Sequence, residues 1–121
     1  ALLAACALAA ARDVVVSPGS RSQALALAAA AFDRAGVLRL HVRRRLSEQL
    51  DGITHGPQGS LDKLLMTWVE QSVGHAALAT VGTDDQELFG AYMYSRAQSV
   101  MGGTSQIQKN IIAQRILGLG S

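Results

Sequence analysis

Two glycines followed at once by hydroxyl and amide side chains make Met101-Gly102-Gly103-Thr104-Ser105-Gln106-Ile107-Gln108 the segment best suited to chemistry. Glycine lets a backbone come close to a ligand. The N–H groups that open a helix suit an anion such as a pyrophosphate, and an amphipathic helix is expected next, through Lys109-Asn110-Ile111-Ile112-Ala113-Gln114-Arg115-Ile116-Leu117. On spacing alone the same residues make an ordinary helix break with an N-cap. Other arrangements carry less. His41, His55 and His75 have no metal-ligand spacing with one another, with Cys6 or with nearby acids, so no metal site is expected. Asp84-Asp85 reads as helix capping, and Arg43-Arg44-Arg45 as a solvated helix start. Trp68 with Met66 and Leu65 reads as core. No Ser–His–Asp arrangement emerges from the spacing.

The elements around these residues fall into two sets. Ala1–Ala11 is expected to be an alanine-rich helix and Val14–Val16 a short strand. Gln23 to about Ala35 is expected to be a helix capped by Ser20 and stopped by Gly36, and Val37–Val42 a second strand, because apolar and polar residues alternate there. Beyond Arg43 strand signals cease. Arg44–Leu50 is a short helical piece and Asp51–Gly59 a loop. A long helix capped by Ser60 follows, with Leu61, Leu64, Leu65, Trp68, Ser72, Val73 and Ala76 on one stripe. It fades near Gly82. Thr83 and Gln86 fit a capping box for a helix bearing Leu88, Tyr92, Arg96 and Ser99. Ser105 and Gln108 fit another, for a last helix with Ile107, Ile111, Ile112 and Ile116 on its apolar face. The expected fold is mainly α, a partial antiparallel bundle over 44–121 preceded by a short α-β-α-β segment over 1–43.

The chain has 121 residues, 49% of them apolar, which suits one helical domain with a modest core. A net charge of +2 is too small to argue for nucleic acid or a membrane surface. The single Cys6 excludes an internal disulfide framework and fits a reducing cytoplasm. The first residue is Ala1 rather than Met, so a fragment or a processed chain is expected. The apolar run Ala1–Ala11 lacks a basic flank and is too short to span a bilayer.

Over residues 44–120 the sequence resembles the C-terminal helical domain of acyl-CoA dehydrogenases. The residues that carry the resemblance are Gly59-Ser60-Leu61-Asp62-Lys63-Leu64-Leu65, Trp68 within Met66–Ala77, and the block from Ser99 to Gly118. The resemblance implies FAD as cofactor, acyl-CoA as substrate and assembly into homo- or hetero-oligomers through the bundle. It assigns FAD contacts to Thr104, Ser105 and Gln106 and an acyl-CoA contact to Gly103. Many members carry their catalytic glutamate where this chain has Gly102, so no catalytic residue is expected here. Some members keep glycine there and place the base on an earlier helix; others are silent partners in mixed oligomers. A further glycine-rich flavin contact, expected around His75–Ala79, is not matched, because His75-Ala76-Ala77-Leu78-Ala79 has no glycine.

Residues 1–43 resemble a different family, the 2-succinyl-5-enolpyruvyl-6-hydroxy-3-cyclohexene-1-carboxylate synthases of menaquinone synthesis. The match rests on Arg12-Asp13-Val14-Val15-Val16-Ser17-Pro18-Gly19-Ser20-Arg21-Ser22, then Leu25–Ala30 and Leu38–Arg43. It implies that Ser20 and Arg21 bind a carboxylate, through a helix N-terminus and a guanidinium fork. The plain alternative is a strand-to-helix turn with a solvated arginine. The glutamate that activates thiamine diphosphate should follow the second strand. Here Arg44-Arg45-Leu46 follows and Glu48 is displaced, so thiamine catalysis is not expected. Together the two resemblances imply an FAD-associated, acyl-CoA dehydrogenase-like domain, an oxidoreductase of fatty acid metabolism by family, that is not active alone. The alternative is a non-enzymatic helical oligomerisation module, or an artefactual fusion, with a vestigial synthase N-terminus.

Overall fold

A helix can run through a single glycine when the residues on both sides favour it and one face is covered. That happens in the first described element. The computed structural model describes residues 18–54 and 56–120, and in it α1 runs without interruption over Pro18–Leu50. Proline is well placed at a helix start, where its missing N–H costs nothing. The expected stop at Gly36, strand at Val37–Val42 and separate piece at Arg44–Leu50 are therefore corrected to one helix, and Ser20 lies within its first turn rather than before it. Glycine costs about 1 kcal/mol relative to alanine in a helix interior, too little to end a run of Ala, Leu and Arg. Residues 37–42 alternate, but they also continue a stripe at three- and four-residue spacing: Leu27, Ala31, Arg34, Leu38, His41, Arg45. The turns of that stripe are buried or half-buried, and this covered face decides between the two periods. The helix crosses Arg43-Arg44-Arg45, where the sequence pattern divides, without a break. The expected helix Ala1–Ala11 and strand Val14–Val16 lie outside the described residues.

This continuity makes a simple prediction. A Cβ added at Gly36 meets nothing within 4 Å. Gly36→Ala should therefore stabilise the chain by about 0.5–1 kcal/mol, read as a higher thermal midpoint by circular dichroism. A strand or turn at this position would gain nothing of the kind, so a lowered midpoint refutes the continuous helix.

Three further helices follow: α2 (Gly59–Val81), α3 (Gln86–Ala97) and the short α4 (Ser105–Ile111), which widens into a π-helical turn over Ile112–Ile116. No strand occurs among the described residues. The mainly α, antiparallel part of the expectation holds, and the α-β-α-β part does not. The central element is α2, which packs against α1, α3 and α4. Arg34 meets Ser72 while His41 and Arg45 meet Asp62, so α1 and α2 run antiparallel. Gln71 meets Ser95 and Gly74 meets Tyr92, so α2 and α3 do too.

The caps shift by a residue or two from their expected positions. Gln58 precedes α2 without a side-chain bond, so Ser60 is not the cap. Asp85 accepts from Leu88 N–H at 3.0 Å and opens α3 in place of the Thr83–Gln86 box. Gly82, at φ +90°, closes α2 as its sequence suggests.

The core is built of small residues. Ala31, Val69, Val73 and Ala76 form it, with Leu27, Ala28, Ala35 and Leu38 against them. Among the described residues no large side chain is fully buried. On α2 the buried residues are Ser60, Thr67, Val69, Val73, Gly74, Ala76 and Ala77, so of the stripe expected from spacing Val73 and Ala76 are buried while its leucines and Trp68 are not. Trp68 is half exposed and Met66 nearly so, which corrects their assignment to the core, while Leu65 is half-buried. Close helix approach explains the choice. A Cβ on Gly74 would stand 3.0 Å from the Tyr92 ring, so α3 can approach only because residue 74 has none. The larger apolar groups, Phe32, Leu40, Leu50, Met93, Tyr94 and Leu117 among them, remain exposed.

Candidate functional site

The turn between α3 and α4 is where the sequence places its chemistry, and side chains from outside the turn fix its shape. Gly102 and Gly103 both have positive φ, +65° and +99°, a region that L residues with a Cβ avoid. The Lys63 ammonium, from the first turns of α2, donates to the carbonyl oxygens of both Met101 and Gly103. Gln108 Nε2 donates to the Gly102 carbonyl at 3.3 Å. Three successive carbonyls are thus drawn inward by two side chains. A planar trans peptide points its N–H opposite to its C=O, so the N–H groups of Gly102, Gly103 and Thr104 face away from the clamp.

The residues assigned to a flavin are adjacent but differently employed. Thr104 caps α4, its Oγ1 accepting from Ile107 N–H at 3.3 Å. Ser105 turns back on the preceding segment, with its N–H donating to Ser99 O at 3.0 Å. Gln106 is exposed. The capping residue is therefore Thr104, one position before the expected box, and Gln108 serves the glycine turn. Two of the helix-opening N–H groups already have partners, which leaves fewer open donors than the spacing implies. On α4 the most buried side chain is Gln108, while Ile107 is half exposed, so the expected isoleucine face is only partly covered.

Ser20 and Arg21 stand elsewhere. Arg21 is exposed near the start of α1, and about 30 Å of helix separates it from His41 at the clamp end. The structure does not bring Ser20 and Arg21, the expected carboxylate-binding residues, to the glycine turn. Sequence reasoning missed Lys63 and Gln108 as turn-holding residues. No local pattern links residue 63 to residue 101; only the packing of α2 beside the turn does so.

A groove of about 420 Å³ runs beside the turn. Leu61, Leu64, Leu65 and Trp68 form its apolar floor; Ser99, Ser105 and Lys109 supply polar groups. Near the same end of the bundle, Asp62 joins α1 to α2. Its carboxylate lies 2.6 Å from His41 Nε2 and 3.2 Å from Arg45 Nη2. Arg45, read from sequence as part of a solvated face, is thus mostly covered, and Arg44 pairs with Glu48 at 2.8 Å. No group of three or more metal-ligating side chains occurs among the described residues, and none of their helices is long and apolar enough to cross a membrane.

Comparison with known proteins places this geometry in context. The model of the acyl-CoA dehydrogenase C-terminal domain matches residues 1–117. A 2-succinyl-5-enolpyruvyl-6-hydroxy-3-cyclohexene-1-carboxylate synthase of Leifsonia xyli subsp. xyli is 65% identical over 52 residues, 43% of this chain and 8% of the synthase. Acyl-CoA dehydrogenase IpdE1 of Mycobacterium tuberculosis is 33% identical over 70 residues, 51% of this chain and 18% of that enzyme. IpdE1 of Mycolicibacterium smegmatis is 44% identical over 46 residues, 38% of this chain and 12% of that enzyme. The chain spans less than a fifth of each of these relatives. No solved structure matches it.

Proposed function

Because the chain belongs to the acyl-CoA dehydrogenase C-terminal domain family, we propose that it is an FAD-associated helical domain that completes a flavin site rather than enclosing one. The observation that carries this reading is the clamped Gly102–Gly103 turn beside an open apolar groove. The residues present suit part of a flavin. An apolar floor takes a ring, Lys109 favours an electron-rich or anionic edge, and the turn presents outward N–H groups. A whole dinucleotide exceeds such a groove, so a second protein surface must cover the rest. When bound, the flavin would accept hydride from an acyl-CoA. With glycine at position 102 the turn offers no carboxylate to remove the α-proton, and turnover requires a base from elsewhere.

In this reading residues 44–121 supply the flavin edge through Gly103, Thr104, Ser105 and Gln106, and the partner is an oligomer of the same family in a reducing, cytoplasmic setting. Residues 1–43 are a synthase-like remnant, and any retained carboxylate contact would rest on Ser20 and Arg21. Flavin fluorescence tests the proposal, with FAD titrated into the chain alone and into its mixture with a full-length dehydrogenase. Saturable binding in the mixture and weak binding alone are expected. If no flavin binds at micromolar protein in either case, the reading fails.

The exposed large apolar groups favour a second reading, a helical association module without cofactor. Sedimentation separates the two, since a stable dimer that takes up no flavin supports the module.

A further inference from the structure

A smaller groove, of about 220 Å³, is lined from α1, α2 and α3 and shares Trp68 and Gln71 with the leucine-floored one. Two arginines from different helices line it, Arg34 on α1 and Arg96 on α3. Neither has a carboxylate within ion-pairing distance among the described residues. Each is instead held by neutral groups. The Arg34 guanidinium lies over the Trp68 ring, 4.3 Å from its centroid, and Nη1 donates to Ser72 Oγ at 2.6 Å. Ser72 Oγ is itself anchored, donating to Trp68 O at 2.7 Å. Arg96 Nη1 donates to Gln71 Oε1 at 3.1 Å, and Gln71 Nε2 donates to Ser95 O at 3.0 Å.

The arrangement is thus pre-oriented on both sides and short of negative charge. Each guanidinium has five N–H donors, and only one from each is engaged by a side-chain acceptor here. Neutral anchors fix the planes without neutralising them. Two fixed guanidinium forks at one concave site match a planar or tetrahedral oxyanion that accepts several N–H bonds at once. His75 and Tyr92, also at the groove, add donors. The volume limits the ligand to a compact one, below the usual range for drug-sized molecules.

We propose that the groove between Arg34 and Arg96 binds a compact oxyanion of carboxylate or phosphate type. This site is separate from the glycine turn and does not depend on flavin binding.

Trp68 is the only tryptophan in the chain and stacks on one of the two arginines, so its fluorescence reports directly on the groove. The full chain should be titrated with inorganic phosphate and, separately, with malonate, against sodium chloride at equal ionic strength. A saturable change in Trp68 emission with either anion, absent with chloride, is expected, and the tighter of the two names the class. Arg96→Met should weaken binding about tenfold or more, the worth of one charge-assisted bond. Arg34→Met should abolish it, with Arg34→Lys recovering part, and Arg39→Met, at an exposed position of α1 outside the groove, should leave it unchanged. Because Arg34 packs on Trp68, loss of its guanidinium also removes a packing contact; the exposed Arg96 therefore decides the matter, with helicity checked by circular dichroism. Emission changes that follow ionic strength alone, or an Arg96→Met chain that binds as tightly as the original, overturn the proposal.

Discussion

Ala76→Leu will lower the stability of the bundle by about 1–3 kcal/mol, the usual penalty for forcing extra methylenes into a filled contact. Ala76 is fully buried, at 0% exposure, in the cluster that joins α1 to α2. Its neighbours there are Ala31, Val69 and Val73, and α1 lies close because these side chains are short. A leucine at position 76, wholly enclosed in this cluster, must push α1 outward. The penalty would be modest in a deep core, but among the described residues no large side chain is fully buried to compensate. Urea unfolding followed by circular dichroism should show a clear fall in midpoint. Leu50→Ala, at a position 88% exposed, should change stability by no more than about 0.5 kcal/mol. Equal effects at the two positions would mean that the packing of α1 on α2 is not what holds the chain together.

This dependence on small residues also explains what the sequence did and did not disclose. The helices beyond residue 59 were legible, because Gly82 and the Gly102–Gly103 pair punctuate them and the apolar spacing between is helical. Which face is buried was legible only in part, at Val73 and Ala76. Leucine and tryptophan mark the most apolar stripe of α2, yet alanine, valine and glycine are covered, because helix approach selects for small size. The Val37–Val42 alternation suggested a strand because a six-residue window holds both a period of two and part of a period of 3.6. Only the longer stripe from Leu27 to Arg45, and the partner that Asp62 offers to His41 and Arg45, separate them. The glycine turn itself was evident from residue type. Its fastening was not, since Lys63 lies 38 residues from Met101 and 40 from Gly103.

That fastening predicts the second large effect. Lys63→Met keeps the length and apolar stem of the side chain but removes the ammonium from the Met101 and Gly103 carbonyls. Hydrogen bonds to a charged group contribute about 1.5–3 kcal/mol each, so the turn should open more readily. Hydrogen exchange at the amides of Gly102–Gln106 should accelerate by about tenfold or more, while exchange at Val73 and Ala76 stays slow. Lys63→Arg should recover much of the protection, because a guanidinium can also span two carbonyl oxygens. Gly103→Ala attacks the same turn from the other side. Its Cβ would lie 2.6 Å from Gln108 Nε2, at a φ of +99° that alanine resists. The two substitutions should therefore speed exchange over the same short segment, and flavin affinity should fall with both wherever flavin binds. If Lys63→Met leaves the turn as protected as before while Gly103→Ala exposes it, the glycine backbone alone sets the turn and the lysine is only a surface charge beside it.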